Sequence, residues 1–244
     1  MNTHEKSSIG ETVANDYRTA AVFKKHKIDF CCQGNRTIEE ACAKSNIDAN
    51  VLLDELNAVA ASNVKSDNDF QTWQMDLLVD YIVKKHHRYV EEKILEITPY
   101  LDKICRVHGQ RHPELFEIKE QFDAVAEELT VHMKKEELIL FPFINKMVKE
   151  KQMKQNYTAA NFGSVQNPIQ MMMDEHTVEG DRFKIIEKIS NSYTPPADAC
   201  NTYSVTFALL KEFEQDLHLH IHLENNILFP KAIALEKEMN VVNQ

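Results

Sequence analysis

The sequence predicts an all-α protein, a four-helix bundle preceded by a small helical domain. Three observations lead there. Only five glycines and seven prolines punctuate 244 residues, too few for short strands joined by turns, while the good helix formers Leu, Glu, Lys, Ala and Met abound. With 43% hydrophobic residues, the chain can bury a sizeable core, and its length suits one large domain plus a small one. Apolar residues also recur at helical spacing over four long stretches, roughly 72–97, 114–148, 166–190 and 200–238. Thr98-Pro99, residues 156–168 and Pro195-Pro196 separate these stretches, all helix-ending chemistry.

Ahead of the bundle, residues 14–26 read as a helix and 29–35 as a turn, and Thr37-Ile-Glu-Glu40 is a capping box that opens a second helix. A third helix starts near Asp48. Residues 62–69 are polar and unpatterned, a linker after which helical periodicity resumes around Trp73. The expected domains are therefore 1–62, helical with a Cys-Cys turn, and 70–244, the bundle.

Composition narrows the partners. A net charge of -10 argues against nucleic acid, whose binding needs Lys and Arg against phosphates. The start MNTHEKSSIG has no apolar core, and no stretch reaches the eighteen or so apolar residues of a membrane helix. No membrane association is expected, and the cytoplasm is the expected compartment. Five cysteines without a CxxC pair fit a reducing environment rather than a disulfide framework.

The chemistry lies in an internal repeat. His132-Met-Lys-Lys-Glu136 runs on to Phe141-Pro142, and His220-Ile-His-Leu-Glu224 runs on to Phe229-Pro230. Both read HxxxExxxxFP, and the step from 132 to 220 equals that from 136 to 224, 88 residues. Four residues apart on a helix, a His and a Glu lie about 40° apart and can reach one metal position. A single HxxxE is more often a solvated surface pair. Two copies that each lead into an apolar segment put polar groups beside core positions, where burial is costly unless a metal or partner compensates.

Helical geometry selects among neighbouring candidates. His218 and His222 lie about 160° from the face shared by His220 and Glu224, and Glu137 about 140° from His132, so Glu137 reads as a surface carboxylate. On the first helix His86 belongs to the apolar stripe of Val79, Ile82, Tyr89, Val90 and Ile94, whereas His87 is flanked by Asp80, Lys84 and Glu91, a solvent-facing pattern. On the third helix His176 follows Ile169, Met172 and Met173. The step from His86 to His176 is 90 residues, close to the repeat offset, so each half offers one His plus one HxxxE.

Four imidazoles and two carboxylates inside a bundle suit an iron or manganese pair better than zinc. Two iron ions are expected, non-haem and oxo- or hydroxo-bridged. With both glutamates bridging, each iron would have five ligands and one open position for a diatomic such as O2 or nitric oxide. Asp174 and Glu175 stand beside His176 as candidates for an added oxygen ligand or an acceptor behind the ligands.

These residues resemble the hemerythrin-like superfamily, and more closely the Repair of Iron Centres family. The resemblance spans nearly the whole chain. It rests on Asp29-Phe30-Cys31-Cys32-Gln33-Gly34, on HMKKEELILFP and HIHLENNILFP, and on MMMDEH with His176. It implies a non-haem di-iron centre held by His86, His132, Glu136, His176, His220 and Glu224. It also implies a stress-response role in restoring iron–sulfur clusters damaged by nitrosative and oxidative stress. One departure stands out: the family's first-helix motif resembles YHxxH, where this chain has Lys85-His86-His87-Arg88-Tyr89.

Cys31 and Cys32 are adjacent and would close only a strained ring on oxidation. In a turn near Lys24, Lys25 and Arg36 they are expected to be partly thiolate, redox-active or reactive toward nitric oxide, or to receive metal, the alternative being small buried hydrophobes. Cys42, Cys105 and Cys200 carry no functional signal. The leading reading is cluster repair through nitric oxide binding or reduction, or through iron donation, with damaged iron–sulfur proteins as partners. An O2 or nitric oxide sensor or store is the alternative, and a nitric oxide reductase a third reading. A homodimer is left open.

Overall fold

The computed structural model describes residues 3–62 and 69–242, so the middle of the expected linker lies outside the described residues. All regular elements among them are helical; the only β pairing described is two isolated bridges. No described helix is long and apolar enough to cross a membrane. The chain divides into two compact units, Met1–Leu78 with Ile221–Gln244, and Val79–His220.

In the first unit, helices α1 (Ile9–Asn15), α2 (Ala20–Lys25), α3 (Ile38–Ser45) and α4 (Ala49–Ala61) follow one another. The helix expected over 14–26 is broken. Asp16 is extended, and its carboxylate accepts from the Arg18 amide and pairs with the guanidinium, which stops α1 and opens a 3-10 turn. The capping box is present: Thr37 Oγ1 accepts from the Glu40 amide at 3.1 Å and Glu40 accepts from the Thr37 amide at 2.9 Å. Ile9, Val13, Phe23, Ile38, Leu52 and Leu56 form the core.

Gly10 and Gly34 touch along the backbone, the Gly10 amide donating to the Gly34 carbonyl at 2.7 Å. Asn226 is wedged against both; a Cβ on either would stand within 2.4 Å of its Oδ1. The Asn226 amide nitrogen reaches the carbonyls of Phe30 (3.3 Å) and Cys31 (3.2 Å), and Asn225 also donates to Cys31. The Asn-Asn pair that distinguishes the second repeat from the first thus pins the backbone of the Cys-Cys turn.

Four long helical runs carry the second unit. Helix α5 comprises Met75–Tyr81, a π turn Ile82–His87 and Arg88–His108; α6 comprises Glu114–Lys135, a π turn Glu136–Leu140 and Phe141–Gln152. Helix α7 is Gln166–Ile189. Helix α8 comprises Asn201–Leu223, a π turn Glu224–Leu228 and Phe229–Val242, its last part belonging to the first unit. These match the expected stretches except after Thr98. Pro99 lies inside α5 rather than ending it. A proline here forfeits one bond to the carbonyl of Leu95, and Leu95 is 78% exposed, so that carbonyl lies on the solvated face. Phe213 of α8 meets Phe122 of α6 edge-on and Phe183 of α7 face-on, each at 5.6 Å, joining three helices at one ring.

Candidate metal centre

The three π turns coincide with the candidate ligands. Glu136 and Glu224 each open one, and His86 and His87 close the other. In both repeats the Phe amide reaches back five residues, Phe141 to Glu136 and Phe229 to Glu224. The following Pro142 and Pro230 bring no N–H, so the next turn lacks a bond in either register, and widening the helix there forfeits little. Such bulges re-aim side chains and gather at functional sites.

Within the second unit, donor atoms of His87, Glu136 and His220 lie within 4.8 Å of one another, as do those of His132, Glu136 and His176. Glu136 belongs to both groups. All five residues are at most 1% exposed or fully buried. The Nε2 atoms of His132 and His176 are 3.0 Å apart, and His132 Nε2 and His87 Nε2 each stand 3.4 Å from Glu136 Oε2. Glu224, fully buried, follows His220 by one turn on α8.

The outer nitrogens decide what the inner ones offer. His132 Nδ1 lies 2.7 Å from Glu175 Oε2, and His87 Nδ1 lies 3.0 Å from Glu137 Oε1. The hydrogen bond to His132, aided by the Lys135 ion pair, holds the Glu175 carboxyl down to about 2 despite the opposing burial. Glu137 is also lowered, its burial outweighed by hydrogen bonds from His87 and Lys134. Both carboxylates can only accept, so each Nδ1 carries the proton and each Nε2 keeps a lone pair. Lone pairs aimed at a buried carboxylate repel it unless a cation lies between, so this donor set fits a metal.

Two expectations are corrected here. His87, assigned to solvent, is fully buried and joins a donor group, while His86, the favoured candidate, lies in neither. His86 is buried too, with Nδ1 3.0 Å from Asp216 Oδ2 and its ring stacked 5.5 Å from that of His220. The solvent-facing reading of His87 failed because it carried an α-helical wheel through a π turn, where the extra residue rotates the positions after it. Glu137, taken for a surface carboxylate, is the acceptor behind His87. The signal available was the displaced YHxxH pattern, which in this chain sits on the π turn.

Cys31 and Cys32 meet with sulfurs 3.7 Å apart, and with Asp29 they form a third donor group. The thiolate expectation fails for Cys31. Hydrogen bonding to Cys32, burial and the nearby Asp29 carboxylate push its thiol well up. Asp29 Oδ1 accepts from both cysteine amides, which sets a carboxylate against the turn. His222 faces Tyr17 and Phe30 at 5.7 and 5.9 Å and is held neutral, near 3, by burial.

A cleft of about 540 Å³ between α6 and α7 is lined by Glu128, Val131, Lys135, Glu175 and Glu179 among others. Burial, then the Glu128 charge, raises the Glu179 carboxyl to about 8. The unfolded group titrates near 4.5, so the folded protein holds an extra proton between these values and loses stability as pH rises through that window. Glu179→Gln is expected to match the parent in urea unfolding at pH 4.5. At pH 8.5 it should exceed the parent by a few kcal/mol, on the order set by that shift. Equal stability at both pH values would remove this assignment.

Residues 5–60 match the family described as a domain of unknown function, DUF542, and residues 78–232 match the family described as the hemerythrin HHE cation binding domain. The chain is 33% identical over 234 residues to the iron-sulfur cluster repair protein YtfE of Yersinia pestis (strain Pestoides F), covering 96% of this chain and 99% of that one. Proteins of the same name from Yersinia pseudotuberculosis, serotype O:1b (strain IP 31758) and serotype IB (strain PB1/+), are 33% and 32% identical over the same shares.

Proposed function

Because this chain belongs to the Repair of Iron Centres family, we propose that it is a di-iron protein that restores iron–sulfur clusters damaged by nitrosative and oxidative stress, by binding or reducing nitric oxide or by donating iron. Damaged iron–sulfur proteins are its clients. The observation that carries the reading is the pair of buried donor groups that share Glu136, each imidazole backed by a carboxylate where one is seen. The proposed ligands are His87, His132, His176 and His220 with Glu136 and Glu224, His87 replacing His86 in the set read from the sequence. Glu224 is included as the repeat equivalent of Glu136, since each is buried and opens a π turn.

Iron held there would supply redox-active, Lewis-acidic chemistry toward a small diatomic ligand such as nitric oxide or O2. The chain's own part is to exclude water, keep the Nε2 lone pairs inward through Glu137 and Glu175, and hold Glu175 in place through Lys135. A functional division into 1–62 and 70–244 and a cytoplasmic setting belong to the same proposal, supported by the two family matches and by five free thiols. The test is recovery of a nitric-oxide-damaged iron–sulfur enzyme. Iron-loaded protein is expected to restore its activity and metal-stripped protein to do far less; equal recovery with both would overturn the reading.

A further inference from the structure

We propose that Cys200 is a reversible modification site that takes low-molecular-weight disulfides, its sulfur held by His108 and by the N-terminus of α8. The site stands apart from the metal centre and does not depend on the function proposed above. His108 follows His87 by 21 residues on α5, roughly 30 Å of helix at 1.5 Å per residue.

Cys200 is exposed, and its carbonyl accepts the first helical bond of α8, from the Ser204 amide at 3.1 Å. The side chain therefore sits in the capping position, with its sulfur against the backbone N–H groups of Tyr203 and Thr202. His108, only 6% exposed, aims Nε2 at that sulfur from 3.2 Å, its ring braced edge-on by Tyr203 at 5.4 Å. Among the described residues its buried Nδ1 meets no hydrogen-bond partner. With no described acceptor to tie a proton to Nδ1, the Nε2–H can donate to the sulfur. Asp198, two residues earlier, would oppose a thiolate, but it is engaged by His112 at 2.9 Å and Arg111 at 3.2 Å.

Helix-terminal amides and a histidine are the surroundings that make cysteines reactive. The Tyr203 amide, then His108, brings the Cys200 thiol down to about 7, whereas burial lifts Cys42 and Cys105. The thiolate attacks one sulfur of the disulfide. A new bond joins that sulfur to Cys200, the original S–S bond breaks, and its electron pair leaves on the other sulfur as a thiolate that takes a proton from water. An external thiol reverses the step by the same exchange.

The test treats the full-length, iron-loaded protein with glutathione disulfide from pH 6 to 9 and follows adducts by intact mass and peptide mapping. One glutathione per chain is expected, on Cys200, with a rate half-maximal near pH 7 and about fivefold above a free model thiol at pH 6. Cys200→Ser should abolish the adduct. His108→Gln should slow it several-fold at pH 6 and move the half-point upward, with iron content and helicity retained. A half-point in the ordinary thiol range, first reaction at Cys32, or a profile unmoved by His108→Gln would overturn the proposal. The wild-type profile alone decides if the histidine variant fails to fold.

Discussion

Replacing Glu136 with Gln is expected to reduce bound iron from two per chain to fewer than one. Its carboxylate is shared by both donor groups of the second unit, His87 with His220 and His132 with His176. The amide keeps the shape of the side chain but removes the charge that balances the cations, and the loss falls on both sides at once. Folding should survive, since the substitution removes a buried charge without opening a cavity. Glu137→Gln, which meets His87 only at its outer nitrogen, should retain iron and bind it 10–100-fold more weakly, the usual effect of such outer partners. Elemental analysis after reconstitution, with circular dichroism as the folding control, separates the cases. Two irons retained in Glu136→Gln would end the claim that this residue is the shared ligand.

The second large effect concerns the adjacent histidines. His87→Ala is expected to lose iron and the associated near-ultraviolet absorption, while His86→Ala keeps most of both. His87 presents Nε2 to Glu136 at 3.4 Å with Nδ1 committed to Glu137. His86 is committed to Asp216 and lies outside both groups, so its removal should loosen the stacked His220 ring and weaken binding without emptying the site. The reverse order, with His86→Ala empty and His87→Ala loaded, would return the first-helix ligand to the one read from the apolar stripe.

Much of this was legible in the linear chain, for definable reasons. The all-α class followed from scarce glycine and proline, and three of the four bundle stretches ended close to where solvent-exposed turn residues stop the helices. His132, Glu136 and His220 could be named as candidates because duplication and i,i+4 spacing are properties of the sequence itself, and the structure gathers them with His176 and His87 into two buried donor groups. Pro99 misled, because whether a proline ends a helix depends on where the orphaned carbonyl points. His87 misled because the period of a π turn is not the period of an α-helix, and nothing short of packing reveals where the extra residue goes.

Cys200 marks the same boundary from the other side. As a residue it carried no signal, and its partner His108 is 92 positions away. The sequence by itself determined the helices, the repeat and the kinds of donor, since these depend on composition and on spacing within one turn. Only the tertiary structure decided which nitrogen faces inward, which carboxylate stands behind it and which thiol is activated. Those properties depend on burial and on charges a few ångströms away across different helices, and the order of residues along one helix does not encode them.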